Sequence, residues 1–137
     1  MGNKQCVFCR IGETDPNRIV YEDEKIIIFN DKSPVSVIHL QCIPKRHIKN
    51  KNYLNKNDLE LLNYMYNISN DFINKNYQQY LYENKPIYGF HKPPFYSIPH
   101  LHMHCIIPPY TNYIMKFFNF CILKGFNEVY QEIQSKD

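Results

Sequence analysis

Three histidines alternate with apolar residues in the segment 100–107. If this segment is a β-strand, His100, His102 and His104 share one face at ~6.6 Å spacing, and the opposite face is apolar. Core packing explains the apolar face, but it does not call for three imidazoles in a row. A neutral imidazole can act as a nucleophile, a general base or a metal ligand near pH 7. The row therefore predicts a catalytic site; a metal-binding tract and an incidental surface row are the alternatives.

A second group of reactive side chains lies near the start of the sequence. Cys6 and Cys9 have the Cys-x-x-Cys spacing of a zinc site, which needs two further ligands. A thioredoxin-like redox pair is disfavoured because no βαβ pattern surrounds the two cysteines. Taken alone, the pair is compatible with a metal site or with two ordinary core cysteines.

Hydrophobic periodicity and turn residues predict the elements that position these groups. The long helix is expected to begin at an N-cap on Asn57, and its apolar stripe comprises Leu61, Met65, Ile68 and Phe72, widened by Leu62 and Ile73. Strands are predicted at residues 18–21, 26–29, 37–43, 86–90, 100–107 and 117–123, and a short helix at 126–133. Pro44 and the pair Pro108-Pro109 are expected to end two of the strands. This order indicates an α+β fold with a mostly antiparallel sheet.

Composition limits the class of protein. A chain of 137 residues with 44% hydrophobic residues fits one domain with its own core, so wholesale disorder is excluded. The sequence has neither an apolar run long enough for a membrane span nor an apolar N-terminal signal. Five cysteines without a signal favour a reducing, cytoplasmic or nuclear setting. The net charge of +3 permits anionic ligands but does not by itself predict nucleic-acid binding.

The sequence resembles the histidine triad family, whose signature is His-φ-His-φ-His-φ-φ with φ hydrophobic. Residues 100–107 match this signature, and residues 6–11, 29–34 and 43–48 agree with the family as well. Residues 89–97, with the elements after the triad, resemble the third branch of the histidine triad nucleotide-binding proteins, to which aprataxin is related. The resemblance implies a single domain over residues 1–137, with about five mostly antiparallel strands, one long helix and a short C-terminal strand and helix. It also implies a homodimer.

The activity implied by the resemblance is hydrolysis of adenosine 5′-monophosphoramidates or acyl-adenylates through a covalent AMP–histidine intermediate. His102 would attack the α-phosphorus, because a phosphoramidate intermediate divides one displacement into two easier steps. His100 and His104 would orient it and hydrogen-bond the phosphate oxygens. Ser97 matches a hydroxyl that contacts the phosphate or leaving group, with a simple turn serine as the alternative. No organic cofactor is expected.

Nucleotide and metal ligands also follow from the resemblance. Asp31 matches an acceptor for both ribose hydroxyls, so a purine nucleotide is the expected partner. The implied nucleotide-binding residues are Phe8, Ile11, Phe29, Asn30, Asp31, Ser97, His102 and His104. Family members that bind zinc use the equivalents of Cys6, Cys9, His47 and His100, which would form a closed structural Cys2His2 site here. The opposing possibility is that His47 and His100 hydrogen-bond each other and the thiols stay free.

Departures from the family's first branch leave the leaving group open. Gly89 and the bulky Phe95-Tyr96 replace a Gly-rich loop of that branch, and the chain has no Trp. His39 is expected to be a satisfied structural histidine, and the sequence suggests no role for His91. Two other functions remain: aprataxin-like removal of AMP from 5′-adenylated DNA, and a non-catalytic nucleotide-binding scaffold. The first is disfavoured because the segment after Pro109 contains one Cys and no His for a finger, and the second by the intact triad.

Overall fold

The first two strands of the sheet form a hairpin, in which a polar turn joins two strands rich in β-branched residues. The structure is a computed structural model that describes residues 5–93, 98–112 and 121–136. Within these ranges, one antiparallel sheet has the strand order β1-β2-β3-β5-β4-β6. The strands are β1 Ile19–Glu22, β2 Ile26–Asn30, β3 Ser36–Pro44, β4 Ile87–His91, β5 Met103–Tyr110 and β6 Leu123–Gly125. The helices are α1 Ile11–Thr14, α2 Leu59–Asn76 and α3 Phe126–Gln134.

Alternation along the strands separates two differently covered faces. Leu40 and Cys42 of β3 point into the main core with α2 and α3, whereas Ile43 points to the other face. On that face Phe8 and Ile11, from the N-terminal segment, pack against apolar side chains of the sheet. The sequence prediction of an α+β fold with an antiparallel sheet is confirmed. Among the described residues, no helix is long and apolar enough to cross a membrane.

The start of α2 differs from the prediction, because Asn57 does not cap it. Asn55 instead caps a 3-10 turn at Lys56–Asp58, where its side chain accepts from the Asn57 backbone N–H. The Asp58 side chain accepts from the Asn55 backbone N–H, which completes a capping box. The backbone amide of Asn57 is thus the capped group. The helix buries Leu62, Met65, Ser69 and Ile73, with the predicted Leu61, Ile68 and Phe72 half-buried beside them.

The triad segment also departs from the predicted strand at both ends. β5 begins at Met103, so His100 and His102 precede it. The Leu101 N–H donates to the Ile48 carbonyl, outside the sheet ladder, because the segment bends after Pro99. At the other end the strand runs through Pro108-Pro109 to Tyr110. The prolines fit there because the ladder with β3 is irregular between Ser36 and Ile38.

The last predicted strand is shorter than expected. Part of the interval 117–123 lies outside the described residues, and Cys121 and Ile122 are helical, so β6 begins only at Leu123. β6 pairs with β4, with Gly89 opposite Gly125 and His91 opposite Leu123. This extra strand therefore supports the end of β4, where a histidine enters the site described next.

Candidate active site

His102 is held as a neutral imidazole with a defined proton position. Its Nδ1 lies 2.7 Å from the His100 backbone carbonyl, which can only accept, so Nδ1–H donates and Nε2 keeps its lone pair. The residue is 9% exposed, and burial lowers its pKa to about 4. The side chain is therefore neutral at pH 7 and presents a nucleophilic nitrogen.

The proton position on His104 is set through His39. The Val35 backbone N–H donates to Nδ1 of His39 at 3.1 Å, so His39 carries its own proton on Nε2. That Nε2 lies 2.7 Å from Nδ1 of His104 and 3.2 Å from Oδ2 of Asp31. His104 consequently accepts at Nδ1 and carries N–H at Nε2. His39 is satisfied, as predicted, but its partner is a triad residue, so it belongs to the site.

His91 is a fourth imidazole at the triad, for which the sequence suggested no role. Its Nε2 lies 2.7 Å from Nε2 of His104, and its ring centroid is 5.0 Å from that of His102. Since His104 carries the proton on Nε2, it donates to His91. Gly89 of β4 pairs with His104, and His91 lies two residues further on the same face. The sequence signal for this role was a histidine at the end of a strand that pairs with the triad strand.

The predicted apolar residues lie together beside His102. Phe8, Ile11 and Phe29 are fully buried and belong to one cluster. The Phe8 ring lies 5.1 Å from the Phe29 ring and 5.3 Å from His102, between centroids, with its edge toward each. Asn30 is exposed at the end of β2, and its backbone carbonyl accepts from Arg18. Phe8, Ile11 and Phe29 form an apolar wall beside His102.

Asp31 lies at the inner end of this wall with both carboxylate oxygens engaged. Oδ1 accepts from the Ser33 backbone N–H at 2.8 Å, and Oδ2 accepts from Nε2 of Gln41 at 2.6 Å. Oδ2 also faces His39 Nε2. The predicted acceptor is therefore close to the triad. Ser97, the remaining predicted catalytic residue, lies outside the described residues.

The four predicted zinc ligands converge on one point. Nδ1 of His100 lies 3.4 Å from Sγ of Cys6 and of Cys9, and 3.3 Å from Nδ1 of His47. All four ligand atoms lie within 4.8 Å of one another. Tetrahedral zinc with Zn–S of about 2.3 Å and Zn–N of about 2.0–2.1 Å separates ligand atoms by roughly 3.3–3.8 Å. His100 donates Nε2–H to the Pro44 carbonyl at 2.8 Å, so its Nδ1 lone pair faces the cluster. The residues thus fit a zinc ion.

The site therefore combines a row of histidines with an apolar wall on an antiparallel sheet, which is the arrangement of a histidine triad protein. Comparisons with known proteins agree. Residues 5–117 match the family described as "Scavenger mRNA decapping enzyme C-term binding". The chain is 36% identical to the "Bifunctional adenosine 5′-phosphosulfate phosphorylase/adenylylsulfatase HINT4" of Arabidopsis thaliana, over 80% of this chain and 74% of that protein. It is 33% identical to the "Adenosine 5′-monophosphoramidase HINT3" of Mus musculus, over 77% of this chain and 65% of that one.

A solved structure gives the same result at the level of the fold. A HIT family hydrolase from Legionella pneumophila Philadelphia 1 superposes with a TM-score of 0.64 at 26% identity, covering 79% of this chain and 96% of that chain. The chain belongs to the histidine triad family. The resemblance stated from the sequence is confirmed for the family, and the relation to aprataxin is not confirmed.

Proposed function

We propose that this protein is a nucleotidyl hydrolase that cleaves adenosine 5′-monophosphoramidates, acyl-adenylates or related AMP conjugates through a covalent AMP–histidine intermediate. The observation that carries the proposal is the hydrogen bond from Nδ1–H of His102 to the His100 carbonyl, which leaves a lone pair on a buried neutral nitrogen. The relatives named as a monophosphoramidase and an adenylylsulfatase support the reaction class. Both names describe chemistry on AMP-linked compounds.

The reaction consists of two displacements at phosphorus. Nε2 of His102 forms a bond to the α-phosphorus while the bond from phosphorus to the leaving nitrogen or oxygen breaks, and its electron pair departs with the leaving group. Water then attacks the same phosphorus, the N–P bond breaks, and AMP is released. Nε2–H of His104 donates to His91 in the free site, and it would turn to a phosphate oxygen, where negative charge accumulates, when the substrate binds. His91 would thus hold this donor beside the phosphate site until the substrate arrives.

Binding of the nucleoside depends on the apolar wall and on Asp31. The rings of Phe8 and Phe29, which pack edge to face, would supply the apolar wall against which a purine packs. Asp31 would accept hydrogen bonds from the ribose, and such charge-assisted bonds contribute about 1.5–3 kcal/mol. These residues would hold the α-phosphate against His102 and reduce the entropy cost of the attack.

A zinc ion held by Cys6, Cys9, His47 and His100 is part of the proposal. The donor set and the ligand separations described above support it. With four protein ligands, zinc would be structural and would supply no open position for water. The ion would tie the N-terminal segment, which carries Phe8, to the residues before β5.

We also propose a homodimer, as the family resemblance implies. Large side chains with apolar surface that remain exposed, such as Tyr53, Tyr82 and Ile87, are of the kind that interfaces bury. Sedimentation velocity at two concentrations tests this: a single species of about 33 kDa, roughly twice the 16.6 kDa chain, is expected. A species of chain mass at both concentrations would contradict it.

Two substrates tested in parallel decide between the functions. The protein is incubated with an AMP–lysine amide conjugate and with adenylated nicked DNA, and the released AMP is quantified. We expect faster release from the small conjugate, with an AMP adduct visible by intact-protein mass spectrometry after rapid acid quench. Preferential release from DNA would favour the aprataxin-like activity. Nucleotide binding without release from either substrate would favour a scaffold.

A further inference from the structure

A glutamine interrupts the apolar wall beside the triad. His39, Gln41 and Ile43 alternate along β3 on the face that carries the site, and Gln41 pairs with Phe29 on one side and His104 on the other. Gln41 is only 7% exposed. Its amide is therefore a buried polar group between an aromatic wall residue and a triad residue, where packing alone favours an apolar side chain.

The orientation of this amide is determined by its neighbour. Oδ2 of Asp31 lies 2.6 Å from the terminal nitrogen of Gln41, and a carboxylate can only accept, so the NH2 group faces Asp31. The carbonyl oxygen Oε1 consequently points away from Asp31. It is buried and has no hydrogen-bond partner among the described residues. Buried polar atoms without partners are rare in native proteins, because each one forfeits its hydrogen bond to water.

Asp31 has little acceptor capacity left for a sugar. A carboxylate offers about four lone-pair sites. The Ser33 N–H uses one site on Oδ1, while Gln41 Nε2 and His39 Nε2 both face Oδ2. Because the one proton of His39 Nε2 goes to His104, Oδ2 keeps a site as well, but nitrogens of Gln41, His39 and His104 crowd Oδ2 within 3.8 Å. Oδ1 is the less crowded oxygen, and its remaining site is enough for one ribose hydroxyl. The second hydroxyl of a ribose needs another acceptor close to Asp31, and Oε1 of Gln41 is an acceptor bonded to the same amide that contacts Asp31.

We propose that Gln41 is a sugar-recognition residue: Oε1 accepts a hydrogen bond from one ribose hydroxyl, and Asp31 Oδ1 accepts from the other. This inference rests on the proposed function, since it assigns a ribonucleotide to the same site. It specifies the substrate class as conjugates of ribonucleoside monophosphates with both hydroxyls intact. Binding of the ribose would satisfy the one buried oxygen at the site that lacks a partner among the described residues.

The test combines protein variants with deoxy-nucleotides. Wild type, Gln41→Met and Gln41→Leu are titrated by calorimetry with AMP, 2′-deoxy-AMP, 3′-deoxy-AMP and 2′,3′-dideoxy-AMP. Met keeps the length of the side chain without its carbonyl, and Leu matches the apolar neighbours. Gln131→Met, the same change on an exposed position of α3, is the matched control. Melting curves without nucleotide show that each variant is folded.

The expected pattern is a loss of discrimination at one hydroxyl only. Wild type should bind AMP about tenfold more tightly than each mono-deoxy nucleotide. The Gln41 variants should bind AMP about tenfold more weakly, and should no longer distinguish AMP from one of the two mono-deoxy forms. Their affinity for dideoxy-AMP should be close to that of wild type. The control should show the wild-type pattern for all four ligands.

Each failure has a distinct pattern. Equal weakening of all four nucleotides by the Gln41 variants, or no weakening at all, overturns the role of Gln41 and leaves the hydrolase proposal intact. If wild type binds no AMP, the proposed function fails, and this inference falls with it. Should both variants unfold, the side-chain amide resonances of Gln41 in wild-type protein provide the test. AMP should shift them more than one of the mono-deoxy nucleotides does, and equal shifts overturn the inference.

Discussion

At the scale of single residues, backbone groups decide which ring nitrogen of each histidine carries its proton. The carbonyl of His100 fixes the proton of His102 on Nδ1, and the carbonyl of Pro44 fixes that of His100 on Nε2. The Val35 backbone N–H donates to Nδ1 of His39, and the proton of His39 is therefore on Nε2. The lone pair on Nδ1 of His100 therefore faces the cysteine cluster, whereas that on Nε2 of His102 is left for the nucleotide site proposed above. Two histidines two residues apart thus serve different chemistry.

Replacing the nucleophile should separate catalysis from binding. His102→Ala is expected to abolish turnover of AMP conjugates while nucleotide affinity changes by less than about tenfold, or 1.4 kcal/mol. The reason is that in the proposed mechanism Nε2 forms the bond to phosphorus, whereas the apolar wall, whose Phe8 lies beside His102, and Asp31 would hold the nucleotide. Turnover and calorimetric titration with AMP measure the two effects. His102→Gly should likewise give no AMP adduct by intact-protein mass spectrometry. Full phosphoramidase activity of either variant would rule out the mechanism.

The pH dependence of the reaction should show the lowered pKa of His102. Burial lowers this pKa from 6.5 to about 4, and only the neutral imidazole attacks phosphorus. Activity should persist as the pH falls through 6.5 and decline only toward about 4, which a kcat/KM profile measures. Because the unfolded chain takes up this proton near 6.5, the group stabilises the fold above that pH, and this contribution is lost as the pH falls toward 4. Half-maximal activity near 6.5 with zinc still bound would contradict the assignment.

His91 should act as a positioning residue through His104. His91→Ala removes the acceptor of the Nε2–H of His104 and the ring that lies beside His102. We expect kcat to fall by about 10- to 100-fold. The change in KM should be smaller, since the apolar wall proposed to bind the substrate is unchanged. The charge of His91 also lowers the pKa of His102, so the acid limb of the pH profile should move to higher pH in the variant. If neither the acid limb of the pH profile nor kcat changes, His91 has no role in the reaction.

At the scale of elements, β6 approaches β4 closely at Gly89, two residues before His91. A Cβ on Gly89 would lie 3.0 Å from the Lys124 backbone carbonyl of β6, which cannot rotate away as a side chain would. Gly89→Ala should therefore destabilise the protein by about 1–3 kcal/mol and lower activity, because His91 is two residues further along the strand. Urea unfolding measures the first effect. Gly12→Ala, where a Cβ meets nothing within 4 Å, is the control and should change stability by less than about 0.5–1 kcal/mol. Equal stability of the two variants would contradict the close approach.

Local patterns were enough to predict most elements. The hairpin of β1 and β2, the strands β3 and β4, and the helix α3 follow from β-branched runs and helical periodicity. The boundaries of α2 and β5 did not follow. The first was decided by competition between neighbouring Asn side chains, and the second by a hydrogen bond to the distant Ile48. The ends of helices and strands depend on such single hydrogen bonds, which hydrophobic periodicity does not reveal.

Site residues that belong to a sequence motif could be predicted. Site residues that only lie opposite the motif on a neighbouring strand could not. The triad and the cysteine pair could be named from spacing and resemblance, and the structure brings His100 to the cysteine pair and His102 to His104. The roles of His39, His91 and Gln41 depend on cross-strand neighbours of β5 and on the residue opposite each one. A sequence read along one strand does not show which side chains lie across from it. The three residues were therefore assigned only from the structure.

At the scale of the whole molecule, the site joins the two ends of the sequence. Cys6 contacts His100 across a separation of 94 residues, and Phe8 from the same N-terminal segment lies against His102. Bringing such distant segments together costs loop-closure entropy, which the contacts formed at the cluster offset. The Cys2His2 cluster is thus placed to couple the stability of the fold to the position of the nucleotide wall.

Removal of metal should consequently affect the fold and the activity together. Protein purified without chelator or affinity-column metal is expected to contain about one zinc per chain by elemental analysis. Stripping it should lower the melting temperature, loosen the N-terminal segment in hydrogen exchange and reduce turnover, because ligand binding and folding are coupled. Cys9→Ser should reproduce these effects, since its Sγ lies 3.2 Å from Nδ1 of His47 and 3.4 Å from Nδ1 of His100. Cys121→Ser, at an exposed cysteine of the described chain, should leave zinc content and melting temperature unchanged. A zinc content near zero, with four or more free thiols by titration, would instead make Cys6 and Cys9 ordinary cysteines beside a hydrogen-bonded pair of histidines.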